Sequence, residues 1–215
     1  VDCFQRPAPA IQHPIVQLHT ISAPWPFMKL GMDIVGKVPR AQGSKVFMLA
    51  MTCYFSKWIE AEAYKNVAED LVISFIKRYI ICRYGIPSEI VCDNGTQFVS
   101  DKTRDYCRRW GIKLLTSTPG FPQANGQAES SNKIGKNCLK KKLDAKKGRW
   151  VEELPFVLWA DRTTPKNSIG ETPYSLVYGC EAVLPFELKI PTARLVLNTV
   201  EENSPLLIDY LDTVN

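Results

Sequence analysis

Residues 46–64, VFMLAMTCYFSKWIEAEAY, decide the fold. The first nine (46–54) form an apolar run rich in β-prone side chains. The last eight (57–64, KWIEAEAY) alternate apolar with charged residues, the pattern of a strand with one buried face. Upstream, residues 28–35 are apolar except for Lys29 and Asp33, and Gln42-Gly43-Ser44 supplies a turn before residue 46. These stretches predict three strands joined by short loops as an antiparallel meander.

Outward from the meander, helix and strand alternate. Asn66 with Glu69 resembles a capping box, and Leu71, Val72, Phe75, Ile76, Tyr79 and Ile80 recur at helical spacing until Gly85 and Pro87 stop the run. Ile90-Val91-Cys92 reads as a short buried strand ending in a turn at Asp93-Asn94-Gly95. Residues 100–110 predict a second helix capped by Ser100, with Tyr106, Cys107 and Trp110 as the buried stripe and Gly111 as the stop. Residues 112–115 predict a fifth strand. TSTPGFPQANG (116–126) is a loop by composition, and 127–147 favours helix. A further helix spans about 150–160, starting or kinking at Pro155, and Thr172-Pro173 reads as another helix start. The class is α/β: a mixed five-stranded sheet flanked by helices.

The 215 residues carry a net charge of +5 and are 45% hydrophobic, enough for a core without disulfide staples. No run of eighteen apolar residues is present, so a helical membrane span is not expected. No secretory signal is expected either, and an opening Val reads as a processed product or a fragment. The seven cysteines form no C-x-x-C pair, which favours a reducing compartment over a disulfide framework. His13 and His19 have no cysteine pair nearby, so no zinc site is expected. The charge is uneven. Residues 133–149 hold eight basic side chains and one acid (net +7), while 150–215 hold four and ten (net −6). A basic block of this kind is either a solvated helix face or an electrostatic footprint for phosphates.

Three acids stand out. Asp33 lies in an otherwise apolar strand, where a carboxylate is costly unless it sits at the strand end or is paired. Asp93 falls at the carboxyl end of the fourth strand, where α/β sheets place their sites. Glu129 lies in the first turn of a helix after a flexible loop. Each alone has a dull explanation: strand-end acid, Asx-turn, favourable charge near a helix N-terminus. Together, with no His or Cys ligand, they suit two hard divalent cations such as Mg²⁺ or Mn²⁺. Such a pair activates a water or hydroxyl and stabilises the leaving oxygen of a phosphodiester. Lys133, Lys136 and Lys140 follow Glu129 by 4, 7 and 11 residues, within about 40° of its direction on a helix. One helix face thus carries an acid and then a row of ammonium groups along which a phosphate backbone could lie. The remaining lysines of the block would add salt-dependent affinity.

Asp33 in GMDIVG, Asp93 in CDNGTQF and Glu129 in TPGFPQANGQAESSNK, with 35 residues between Asp93 and Glu129, resemble the D,D-35-E motif of retroviral and retrotransposon integrases. The flanking segments PWPFMKLGMDIVG, YFSKWIEAE and GRWVEELPFVLWADRTTPKNSIGETPYSLVYG are similar to the Ty3/gypsy elements of plants. The resemblance covers about residues 22–185. It implies a ribonuclease H-like fold and an enzyme that carries out 3′-processing and strand transfer of element DNA ends. It implies Mg²⁺ or Mn²⁺ held by Asp33, Asp93 and Glu129, DNA contacts from Lys133 and Lys136, and Asn125 in a flexible loop near DNA. The chain would be a linker (1–21), a catalytic core (22–185) and a C-terminal connector or tail (186–215), released from a Pol polyprotein. It would act as a homo-oligomer on element ends and target DNA, in the nucleus after a cytoplasmic stage. The opening VDCFQR resembles the tail of the family's zinc-binding domain, but Val1 and Phe4 stand at the cysteine positions, so no bound zinc is expected in this chain. Cys53 stands where close relatives often have Asp, and Cys92 where they often have Ser; neither position is a metal ligand. Two alternatives are a catalytically silent DNA-binding or assembly remnant, and a ribonuclease H-type nuclease on the same fold.

Overall fold

The computed structural model describes residues 23–36, 38–116 and 147–185. Strands β1 (Lys29–Val35), β2 (Phe47–Cys53) and β3 (Ile59–Tyr64) form the expected antiparallel meander. Strands β4 (Glu89–Cys92) and β5 (Lys113–Thr116) then add in parallel beyond β1. The sheet order is β3-β2-β1-β4-β5. A parallel neighbour needs a crossover, and the helices between β3 and β4 and between β4 and β5 provide it.

Period-two alternation sorts the strands' side chains onto two faces. One face presents Leu30, Met32, Leu49, Met51, Ile90 and Cys92 to Val72, Phe75, Ile76 and Ile80. Those four come from α1 (Glu69–Phe75) and its π-helical continuation Ile76–Ile81, which ends in the turn α2 (Cys82–Tyr84). Phe98 of α3 (Thr96–Val99) and Cys107 of α4 (Asp101–Arg109) complete that layer. The other face presents Val35, Met48, Ala50, Ala61 and Ala63 to Trp150, Leu154, Val157 and Leu158 of α5 (Trp150–Arg162). The alanines allow the helix to lie close, and fully burying each large side chain stabilises the fold by about 1.5–3 kcal/mol. Trp150 is fully buried, and its indole N–H donates to the Pro39 carbonyl at 2.6 Å.

Four local readings change. Helix α1 starts at Glu69 with Ala68 as N-cap and no side-chain cap bond, so Asn66 forms no capping box. The Ala68 carbonyl takes the Leu71 and Val72 N–H groups, while Glu69 and Asp70 favour the helix dipole from the first turn. Ser100 does cap α4, accepting from the Thr103 N–H at 3.3 Å. The α4 stripe, however, buries Thr103 and Cys107 and leaves Trp110 43% exposed. Trp110 follows the last helical residue, where Gly111 (φ 69°) turns the chain into β5, so its ring lies beside Tyr106 instead of entering the core. The fifth strand runs one residue later than predicted. Helix α5 begins at Trp150 and runs through Pro155, which is exposed. Proline there removes one donor, and water can satisfy the carbonyl left over on the solvent side. Thr172 caps α6 (Pro173–Tyr178) through the Ser175 N–H at 3.0 Å, as the sequence predicts. Among the described residues Cys53, Cys82, Cys92, Cys107 and Cys180 are free thiols, and no helix is long and apolar enough to cross a membrane.

Candidate active site at the carboxyl edge of the sheet

The parallel register of β1 and β4 pairs Leu30 with Ile90 and Gly31 with Val91. Continued by two residues, that register sets Asp33, the fifth residue of β1, beside Asp93, the first residue past β4. Strands in a sheet lie about 4.8 Å apart, a spacing from which two carboxylates can reach one cation. Asp33 also faces Ala50 of β2 across the antiparallel pair, and the alanine's small side chain leaves room beside it. Asp33 is half-buried and Asp93 exposed.

The turn after β4 is tightly specified. The Gly95 N–H donates to Asp93 Oδ1 at 2.9 Å, an Asx-turn that points the carboxylate back over its own loop. The same residue is the N-cap of α3, its carbonyl accepting from the Phe98 and Val99 N–H groups. A Cβ at position 95 would lie 2.9 Å from Asp93 Oδ1 and 2.5 Å from Gln97 Nε2, so any larger residue here would displace the ends of both side chains. Phe98 is fully buried, and the Thr103 hydroxyl donates to the Gln97 carbonyl at 3.1 Å. Core packing on one side and α4 on the other therefore hold the loop that carries Asp93. The sequence shows Asp-Asn-Gly as a turn; that the glycine touches the carboxylate was not read from it, although a glycine two residues after an aspartate is the available signal.

Cys92 precedes Asp93 and points to the opposite face, into the core. Burial pushes its thiol up to about 12, Asp93 and Cys107 adding to the rise and Arg104 opposing it. The group is thus a neutral thiol at physiological pH, donating weakly to the Leu115 carbonyl at 3.8 Å. It is no thiolate competitor for a cation at the site.

Asp33 and Asp93 are the predicted site residues that the structure brings together. Glu129, Asn125, Lys133, Lys136 and Lys140 lie outside the described residues, so among the described residues no three His, Cys, Asp or Glu side chains gather as a metal site. Carboxylate oxygen, which both residues offer, is the donor type that hard divalent cations take.

A five-stranded mixed sheet in this order, with helices on both faces, is the ribonuclease H-like fold. Residues 24–122 match the family model described as "Integrase core domain". This stretch is thus similar to the integrase core domain of the retroviral integrase superfamily. Two relatives are the Gag-Pol polyproteins of avian reticuloendotheliosis virus, 32% identical over 139 residues (65% of this chain, 12% of the polyprotein), and of gibbon ape leukemia virus, 34% identical over 149 residues (69% and 9%). The chain thus spans about a tenth of the length of these curated relatives. Among solved structures, the catalytic core domain of BIV integrase matches with a TM-score of 0.55 and 22% identity, over 71% of this chain and 95% of that one. A chain from the simian T-cell lymphotropic virus intasome in complex with PP2A regulatory subunit B56 gamma matches at 0.63 and 23%, over 86% and 64%. Both likenesses are of fold.

Proposed function

We propose that this chain is the catalytic core of an integrase from a Ty3/gypsy-type LTR retrotransposon of plants, and that it performs metal-dependent 3′-processing and strand transfer of element DNA ends into target DNA. The observation that carries the reading is the parallel β1–β4 register, which, continued by two residues, sets Asp33 beside Asp93, with Glu129 following Asp93 after 35 residues. The flanking segments around Asp33, Trp58 and Trp150 favour the plant element within the broader retroviral likeness. In this reading residues 22–185 are the catalytic unit, 1–21 a linker and 186–215 a connector or tail. The protein comes from a Pol polyprotein, works as a homo-oligomer and acts in the nucleus after a cytoplasmic stage.

Asp33, Asp93 and Glu129 would hold two Mg²⁺ or Mn²⁺ ions. When bound, such ions activate the attacking water or DNA hydroxyl and neutralise charge developing on the phosphoryl oxygens. The chain's own part is positional. Strand β1 fixes Asp33, the Gly95 N–H orients Asp93, and the lysine row at 133, 136 and 140 binds the backbone leading to the scissile bond. Asn125 contributes from the loop before Glu129.

The test is a 3′-processing and strand-transfer assay with paired element ends and Mn²⁺. Joined products are expected from the native sequence and none from Glu129→Gln. If Glu129→Gln matches the native protein, or if a version extended with flanking domains is also inert, the reading fails.

A further inference from the structure

Between α4 and the edge strand β5 lies a cavity of about 330 Å³ lined by Arg104, Cys107, Arg108, Ile112, Leu114 and Thr116. The acids of the candidate active site play no part in it. We propose that this groove binds the phosphodiester backbone of a nucleic-acid strand on its way to the carboxyl edge of the sheet. The proposal rests on the integrase reading and adds a DNA-contacting surface to it.

Arg104 and Arg108 stand four residues apart on α4, so both guanidinium groups serve one helix face at an axial spacing of about 6 Å. Each presents a planar fork of donors that matches phosphate oxygens. Among the described residues no carboxylate lies within ion-pair distance of Arg104. Arg108 is paired at 2.8 Å with Asp105, one turn back, and both side chains are mostly exposed (78% and 53%). An exposed pair of this kind is worth about 1 kcal/mol or less, so a phosphate can displace it. The arginines around the buried Glu60 differ: Arg83 and Arg162 are committed to that carboxylate at 3.0 and 3.1 Å.

The groove also points the right way. Thr116 pairs in register with Cys92, the last residue of β4, so its end of the groove lies at the carboxyl edge of the sheet, on the face opposite the Asp93 carboxylate. Its hydroxyl adds a third donor there. Ile112 and Leu114 give an apolar floor suited to deoxyribose. A backbone seated on Arg108, Arg104 and Thr116 in turn would reach the carboxyl edge of the sheet from its α4 face.

The experiment titrates the 215-residue chain with random-sequence duplex and single-stranded DNA over a range of salt, in parallel with the strand-transfer assay. The variants are Arg104→Ala/Arg108→Ala and Arg104→Lys/Arg108→Lys, with thermal melts to show that each folds. The alanine pair is expected to weaken binding equally for all sequences and to reduce the log–log salt slope by about 2, one for each phosphate contact. The lysine pair should keep that slope. An alanine pair with an unchanged slope, in a protein that carries out strand transfer, overturns the groove and leaves the integrase reading intact. A lost slope in a protein inert in strand transfer supports the groove and counts against the integrase reading. A native chain that binds no DNA overturns both.

Discussion

Glu60 and Asp93 are carboxylates on one sheet, and the protein treats them in opposite ways. Glu60, in β3, is 3% exposed and receives four donors: Trp58 Nε1 at 2.9 Å, Tyr84 Oη at 2.6 Å, Arg83 at 3.0 Å and Arg162 at 3.1 Å. Burial and the bond to Glu60 hold the Tyr84 hydroxyl well above its usual pKa, so it remains a donor. Arg162 also donates to the Ile59 carbonyl at 3.2 and 2.7 Å and lies 4.3 Å from the Trp58 ring. The network pins the end of α5 and the turn α2 to β3. Asp93 sits in solvent just past β4 and, among the described residues, takes the Gly95 N–H. A buried charge surrounded by the protein's own donors serves the fold. A charge at a strand end, exposed and held by one backbone donor, keeps acceptor capacity for something that arrives.

The contrast breaks most visibly through paired substitutions. Asp93→Asn should cut strand transfer by about a thousandfold or more, since metal-held charge stabilisation is worth several kcal/mol. It should leave the urea midpoint almost unchanged. Glu60→Gln should do the reverse. Removing one partner from a buried ion network costs about 3–5 kcal/mol, read as an earlier urea transition, while the residual folded protein keeps its chemistry. If Asp93→Asn proves the stability mutant and Glu60→Gln the activity mutant, the division of labour is wrong. Gly95→Ala sharpens the same comparison at smaller scale. Its Cβ would press on Asp93 Oδ1 and on the movable Gln97 side chain, so about a tenfold loss of strand transfer, roughly 1.4 kcal/mol, is expected with little change in melting. Equal activity of Gly95→Ala and the native protein would mean that the Asx-turn does not position the acid.

The two regions were not equally legible in the sequence. Asp93 announces itself, because a short apolar run closed by Asp-Asn-Gly fixes both the strand and the turn, and the strands of the meander follow from alternation alone. The pairing of Asp33 with Asp93 was open to the motif resemblance but not to periodicity, since strand order depends on crossovers that no local pattern encodes. Glu60 was invisible as a buried hub. In KWIEAEAY it reads as the solvent-facing half of an alternating strand, yet its donors Arg83 and Arg162 lie 23 and 102 residues away along the chain. Trp110 failed for a related reason: helical spacing continues on paper past the point where Gly111 turns the backbone. Pro155 does not start its helix, because a propensity argument ignores which side of a helix faces water.

Cys53 tests the comparison at its finest grain, as a buried site that resembles neither carboxylate yet is built like a socket for one. It is the last residue of β2 and fully buried, but its sulfur accepts the Phe27 N–H at 3.2 Å and the Ser56 N–H at 3.5 Å. Lys57 is near enough for its charge to interact with Cys53, and burial lowers the Lys57 pKa. Thiol sulfur is a weak acceptor for two backbone donors. An aspartate here would accept both strongly and hold Lys57 in its charged form, against the cost of burying a second charge. Cys53→Asp should therefore change the unfolding free energy by no more than about 1 kcal/mol, because those terms offset. Cys53→Val keeps the volume and strips the acceptor, so it should cost about 1–3 kcal/mol for the donors left unpaired. Urea denaturation of the two variants reads the difference directly. A stable valine variant beside an aspartate variant that fails to fold would show that the pocket is apolar, and that the two N–H groups converge on sulfur only because the segments before β1 and after β2 leave them nowhere else to point.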